Sequence, residues 1–318
     1  MRYLLEGHLS DPDGSGRDWD CALANHLHAL RTRPPHQVID DLTADLYALH
    51  TDIAQSRHQD ATRWLYRVAA ILACVQANAL TRIGDHEAAI RWWSTARRTA
   101  DASGDLEVRL LVRGEEAIHG LYGQREPRRV LALVAAARRI TDRPWPRLVA
   151  AEAKALAMLG RHSDATRTLD RLVDAAERVG GDSLGWWKVD QVYFARSWVH
   201  AAAGSERAAD AARDRVLSTV SRNSYQYRIN VRLHEAICTV VQGGIDAGCR
   251  HAAELIDATP AAYRTNHVVE TGRRVLGAVP PGRQASPAVA DLRTVLVAAS
   301  GGGGSGHRGP AGAHRRSG

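Results

Sequence analysis

Residues 77–96 read Ala77-Asn78-Ala79-Leu80-Thr81-Arg82-Ile83-Gly84-Asp85-His86-Glu87-Ala88-Ala89-Ile90-Arg91-Trp92-Trp93-Ser94-Thr95-Ala96. Gly84 divides two helix-like stretches, with small residues seven before it (Ala77), five after it (Ala89) and twelve after it (Ala96). Offsets of 5, 9 and 12 are helical, because residues three and four apart share a face. The arrangement recurs: Gly84, Gly123, Gly160, Gly204 and Gly243 follow one another at intervals of 39, 37, 44 and 39 residues. Ala153, Ser197 and Ala236 repeat the small position before the glycine, and Ala165, Ala209 and Gly248 the one after it. Two helices must cross closely at each such pair. Self-similarity at this period marks a helical repeat array, whose neighbouring units bury the core between them and leave a concave face for binding.

Twelve after each glycine stand Ala96, Ala135, Leu172, Val216 and Leu255, the inward residues on which the next unit would rest. The unit on Gly123 departs from the pattern, with Arg128 at the small position. Pro127 supplies a reason, since proline favours the first turn of a helix. A turn longer by two residues moves the pattern to Val130, Val134 and Ala137.

Composition agrees with an all-α class, a right-handed α-solenoid of helix pairs. The chain has 318 residues, one Phe and a bulk of Ala, Leu, Arg, Glu and Val, mostly helix formers. The net charge is +7, but Lys154 and Lys188 are the only lysines among 42 basic residues. Such a bias reflects a GC-rich coding sequence better than a phosphate-binding face, and Arg308, Arg315 and Arg316 place part of the surplus in a terminal segment. Cys21, Cys74, Cys238 and Cys249 lack CxxC spacing, so neither a metal site nor a disulfide framework is implied. No apolar run is long enough to span a bilayer, which makes the cytoplasm the default location.

Residues 1–17 read as irregular, with a turn cluster at Asp11-Pro12-Asp13-Gly14-Ser15-Gly16. Residues 18–59 form an N-terminal helical pair, Trp19 to Leu30 and Val38 to Ile53, separated by Pro34-Pro35. The array occupies 60–300, its open end capped by amphipathic pieces around Val268–Val279 and Pro287–Ala298. Residues 301–318, rich in Gly and Arg, cannot bury enough surface to fold.

Catalytic-looking strings do not survive their structural requirements. Gly181-Asp182-Ser183-Leu184-Gly185 matches a nucleophile elbow, but that motif needs a strand leading into the serine, and the flanking text is helical. The turn at Asp11 lacks the bidentate Glu of a calcium loop, since Ala22 stands at its twelfth position. His26 and His28 face different sides of a helix, and His234-Glu235 lacks a second His four residues on. Neither enzyme activity, cofactor nor metal is expected.

The first helix of each unit should line the concave groove, with inward residues near 13, 10, 6, 3 and 2 before the glycine. That rule collects Asn78, Arg82, Arg113, Arg147, Lys154, Gln191, Trp198 and Asn230. Phe194, four before Trp198, adds an aromatic platform. The amides suit an extended peptide backbone, and the four cations favour carboxylate or acidic partners.

The stretch Ala89 to Arg97, with its Arg91-Trp92-Trp93, and the stretch Arg113 to Gly123, with Ala117-Ile118-His119-Gly120-Leu121-Tyr122-Gly123, resemble the tetratricopeptide-repeat half of Xre-family helix-turn-helix regulators of high-GC bacteria. Ala153 to Arg161, Ser197-Trp198-Val199 and Val275-Leu276 with Val279-Pro280 continue the likeness, which covers roughly 18–298. The resemblance implies tetratricopeptide-like pairs that receive a peptide, small-molecule signal or protein partner in transcriptional regulation, with a homodimer as a further option. It implies DNA contact only through a missing or separate helix-turn-helix domain, because about 17 residues precede the matching region. The alternative is a free-standing tetratricopeptide adaptor for protein–protein interaction.

Overall fold

The computed structural model describes residues 18–179 and 188–301. Among the described residues are fourteen α-helices, two short 3-10 turns and no strand. The helices come as seven pairs: α1 (Trp19–Thr32) with α2 (Pro35–Gln55), α3 (Gln59–Ile83) with α4 (His86–Ser103), α5 (Leu106–Gly120) with α6 (Pro127–Arg138), α7 (Pro146–Met158) with α8 (His162–Val179), α9 (Asp190–Ala202) with α10 (Glu206–Thr219), α11 (Tyr225–Val241) with α12 (Ile245–Asp257), and α13 (Asn266–Gly277) with α14 (Pro287–Gly301). The turn cluster at 11–16, the string at 181–185, Trp186-Trp187 and the tail from 302 lie outside the described residues.

Local chemistry sets the helix ends. All five repeat glycines take left-handed backbone conformations, with φ between +67° and +97°, a region closed to most side chains and suited to stopping a helix. Asp18, Asp85 and Asp105 cap α1, α4 and α5 by accepting from the N–H groups of Cys21, Ala88 and Val108. Proline opens α2, α6 and α7, where its missing N–H has no helical partner to lose.

The small residues sit where helices cross. Ala77, Ala89, Ala153, Ala165, Ala209 and Ala236 are all buried. At Gly248 even a methyl group is too large, since a Cβ there would stand 2.6 Å from Val240 Cγ2 and 2.8 Å from the Ala236 carbonyl oxygen. In α6 the buried set is Val130, Val134 and Ala137, with Ala135 exposed. In α12 Ile256 takes the core position expected of Leu255. Trp93 is fully buried while its neighbour Trp92 is only partly so, as the rotation of about 100° between adjacent helical residues requires.

The odd-numbered helices touch in order, from α1 through α3, α5, α7, α9 and α11 to α13, and then the run turns back: α13 also packs on α3, and α11 on α1. Asn266 Nδ2 donates to the Tyr122 carbonyl at 2.8 Å, Arg274 donates to the Leu121 carbonyl, and Tyr225 Oη donates to the Arg33 carbonyl at 3.3 Å. The odd-numbered helices therefore close on themselves. No even-numbered helix reaches the space they enclose.

Candidate functional site

That enclosed space is a cavity with about 80 Å³ of free volume. One water needs about 10–15 Å³, so it has room for several waters or one compact small molecule. Each of the seven odd-numbered helices supplies at least one lining side chain, from Leu30 on α1 to His267 on α13. Arg31, Ile118, Gln191 and Tyr227 are its partly exposed members and mark the open side.

Six of the residues expected from the sequence, Asn78, Arg82, Arg147, Lys154, Gln191 and Phe194, line this cavity together. The other three stand elsewhere. Trp198 lies one layer back, only 4% exposed, with Lys154 Nζ 5.1 Å from its ring centre and Tyr122 edge-on at 5.6 Å; it supports the wall and presents no open platform. Asn230 accepts from Thr271 Oγ1 at 2.6 Å and donates to the Gln226 carbonyl at 2.8 Å, which joins α11 to α13. Arg113 lies away from the cavity and grips Asp101 of α4 at 2.8 Å.

The misplacement of Arg113 has a simple cause. The turn after α5 is longer by two residues, so counting back from Gly123 reads the wrong face. Counting from position 121 collects Glu115, Ile118 and His119, which all line the cavity. It also makes Gly114 the small residue of this unit, and a Cβ there would stand 2.6 Å from Arg147 Cβ.

Polar contacts in the cavity have a definite direction. Arg82 Nε donates to Asn78 Oδ1 at 2.8 Å, which turns the amide nitrogen toward His119 Nε2 at 2.7 Å. His119 therefore carries its proton on Nδ1 and donates it to His267 Nε2 at 2.8 Å. Burial first, and the positive charges of Arg82 and Lys154 second, hold His119 well below its ordinary pKa. Burial, then His119 and the nearby cations, does the same to His267. The buried carboxylate of Glu115 takes Arg147 as its ion partner.

Lys154 differs from these. Its side chain is 4% exposed, and its ammonium meets ring faces, 4.7 Å from the centre of Phe194 and 5.1 Å from that of Trp198. Among the described residues no carboxylate or other acceptor pairs with it, and its Nζ, which is not one of the fully buried polar atoms, faces the cavity. Burial, followed by repulsion from Arg274 and Arg147, lowers its pKa to about 7. Arg274 also stacks on Trp198, 3.7 Å from its ring centre.

Glu115, His119, Gln226, Tyr227, His267 and Arg274 had no place in the sequence reading. The first two were recoverable from the longer turn. The others enter only because the helices close, and an offset rule tied to one glycine carries no signal of closure.

Among the described residues no group of three or more His, Cys, Asp or Glu side chains could hold a metal ion. No helix among them is long and apolar enough to cross a membrane. No protein-family model matches the chain, and a search of curated proteins finds no significant match.

Proposed function

We propose that the chain is a ligand-receiving module: a right-handed array of tetratricopeptide-like helix pairs that holds a small molecule in its central cavity and reports occupancy through the packing of its inner helices. The observation that carries this reading is that seven helices from seven pairs converge on one cavity containing a buried, unpartnered ammonium. Such a ligand would touch every pair at once, so its free energy of binding would act on the arrangement of the whole array. The likeness of the Arg91-Trp92-Trp93 and Ala117–Gly123 strings to Xre-family regulators supports transcriptional regulation in the cytoplasm as the setting, with DNA reading left to a separate helix-turn-helix. We read the module as non-catalytic, since the cavity's carboxylate and histidines are taken up by Arg147, Asn78 and one another. The adaptor alternative calls for a long concave groove, whereas the inward residues of this chain gather around one cavity that is open on a single side.

Thermal-shift screening of a chemically mixed library against the parent and Ala150→Leu tests the proposal. Ala150 is buried and lines the cavity, so the larger side chain should fill it. Compounds that stabilise the parent and lose their effect on Ala150→Leu support the reading. A library with no such compound removes it.

A further inference from the structure

Buried positive charge exceeds buried negative charge around the cavity. Arg82, Arg147 and Lys154 line it, with Glu115 the one carboxylate beside them among the described residues. Glu115 is committed to Arg147. Arg82 binds two neutral oxygens, Asn78 Oδ1 and the Leu30 carbonyl. Lys154 has only the faces of Phe194 and Trp198. Taking a cation out of water without a counter-charge is unfavourable unless something in the site restores the lost solvation. Ring faces do so in part, by attraction to their quadrupoles, and they leave the ammonium's N–H donors to water or to a ligand in the cavity.

We propose that the occupant is a compact organic monocarboxylate with a flat apolar body, its carboxylate taken by Lys154 and its body laid against Phe194 and Tyr227. This rests on the ligand-receiving reading above. Size, sign and shape each narrow the class. A cavity with about 80 Å³ of free volume, open on one side, favours a compact molecule over a peptide or a nucleotide. The cavity's surplus of positive charge favours an anion. Glu115 inside the same cavity opposes a second negative charge, which disfavours a phosphate dianion. Phe194 and Tyr227 lie edge to face, 5.0 Å between centres, and give an aromatic or unsaturated body a surface to stack on.

The test uses the full chain in calorimetric titration and thermal shift. The probes are benzoate, phenylacetate and nicotinate, their neutral amides, and inorganic phosphate. At least one acid should bind the parent, its amide should bind roughly ten- to a hundredfold more weakly, and phosphate should not bind, the scale being that of a charged hydrogen bond. Lys154→Met should weaken the acid by the same factor while raising the melting temperature of the empty protein, since it removes a buried charge that has no partner. Lys154→Gln serves as the second variant and should weaken the acid likewise. If the amides bind as well as the acids, or phosphate binds in their place, or both Lys154 variants bind the acids like the parent, the carboxylate assignment falls. The ligand-receiving reading then survives wherever Ala150→Leu still blocks the compound that binds. If Ala150→Leu changes the binding of no compound, both fall.

Discussion

His119 Nδ1 and His267 Nε2 meet at 2.8 Å across 148 residues of sequence. This bond is the seam at which the last odd-numbered helix joins the α5 end of the early pairs. It needs one neutral acceptor nitrogen, so protonation of His267 breaks it.

Stability should therefore fall in mild acid. His119, His234 and His267 all sit well below the ordinary histidine value of 6.5, chiefly through burial. Below pH 6.5 the unfolded chain takes up protons that the folded chain refuses, so stability present above that pH is lost as pH drops further. Each site contributes up to about 1.4 kcal/mol per pH unit, or roughly 4 for the three together. Calorimetric melting between pH 7.5 and 5 should show the loss, and His267→Gln should make it shallower. A melting temperature independent of pH over that range would refute the assignment.

Lys154 should govern the other side of neutrality. Its pKa falls from 10.5 to about 7 on folding, so the unfolded chain binds more protons between these values and stability declines as pH falls through them. Lys154→Met should abolish this slope, up to about 1.4 kcal/mol per pH unit. Tyr122 and Tyr227, both raised to about 12 by burial, act in the opposite sense above pH 10 and cancel between the two proteins. Parallel denaturant titrations at pH 7 and 9 measure the difference, and equal slopes for parent and variant would count against a buried charged lysine.

Glu115→Gln should be severe. It keeps the shape and leaves Arg147, itself buried, without its ion partner, a change that costs about 3–5 kcal/mol. Arg113→Ala breaks the part-exposed pair with Asp101 and the bond to the Arg109 carbonyl of its own helix, losses worth about 1 kcal/mol. Arg113→Ala should leave ligand binding untouched. Urea unfolding of the two variants checks the ranking.

Gly114→Ala should destabilise although alanine is the better helix former. The new methyl would stand 2.6 Å from Arg147 Cβ, a backbone-proximal atom that cannot swing away, so α5 and α7 must part. Overpacking of this kind costs roughly 1–3 kcal/mol. At Gly160 nothing lies within 4 Å and the penalty of alanine is the left-handed φ of +72° alone, about 1–2 kcal/mol. Melting curves should separate the two, with ligand affinity reduced only for Gly114→Ala.

The helical pairing was legible because it rests on local rules. Gly84, Gly160, Gly204 and Gly243 stop helices by backbone sterics, and Ala89 or Ala209 marks a crossing by size alone. Two-thirds of the expected set reached the cavity for the same reason, since Asn78, Arg147, Lys154 and Gln191 keep a fixed distance from a nearby glycine, though the six residues that reached it make up only about a third of those that line it. Arg113 was misread through a two-residue change of register that Pro127 had already signalled for α6, and that applied equally to α5. Closure was not legible. Whether α13 reaches α3 depends on small rotations between successive pairs, and these accumulate from side-chain packing spread over the chain.

A row of helix pairs with free ends can fray from either end and begin forming anywhere. Here the end is fastened to the beginning, and that changes the order of events during synthesis. Asn78, Glu115 and Arg147 leave the ribosome long before His267, so the early pairs must wait with a charged interior open to water. Only when α13 arrives does the cavity acquire its last wall, and loss of that one helix would take His267 away and open that side of the cavity to solvent.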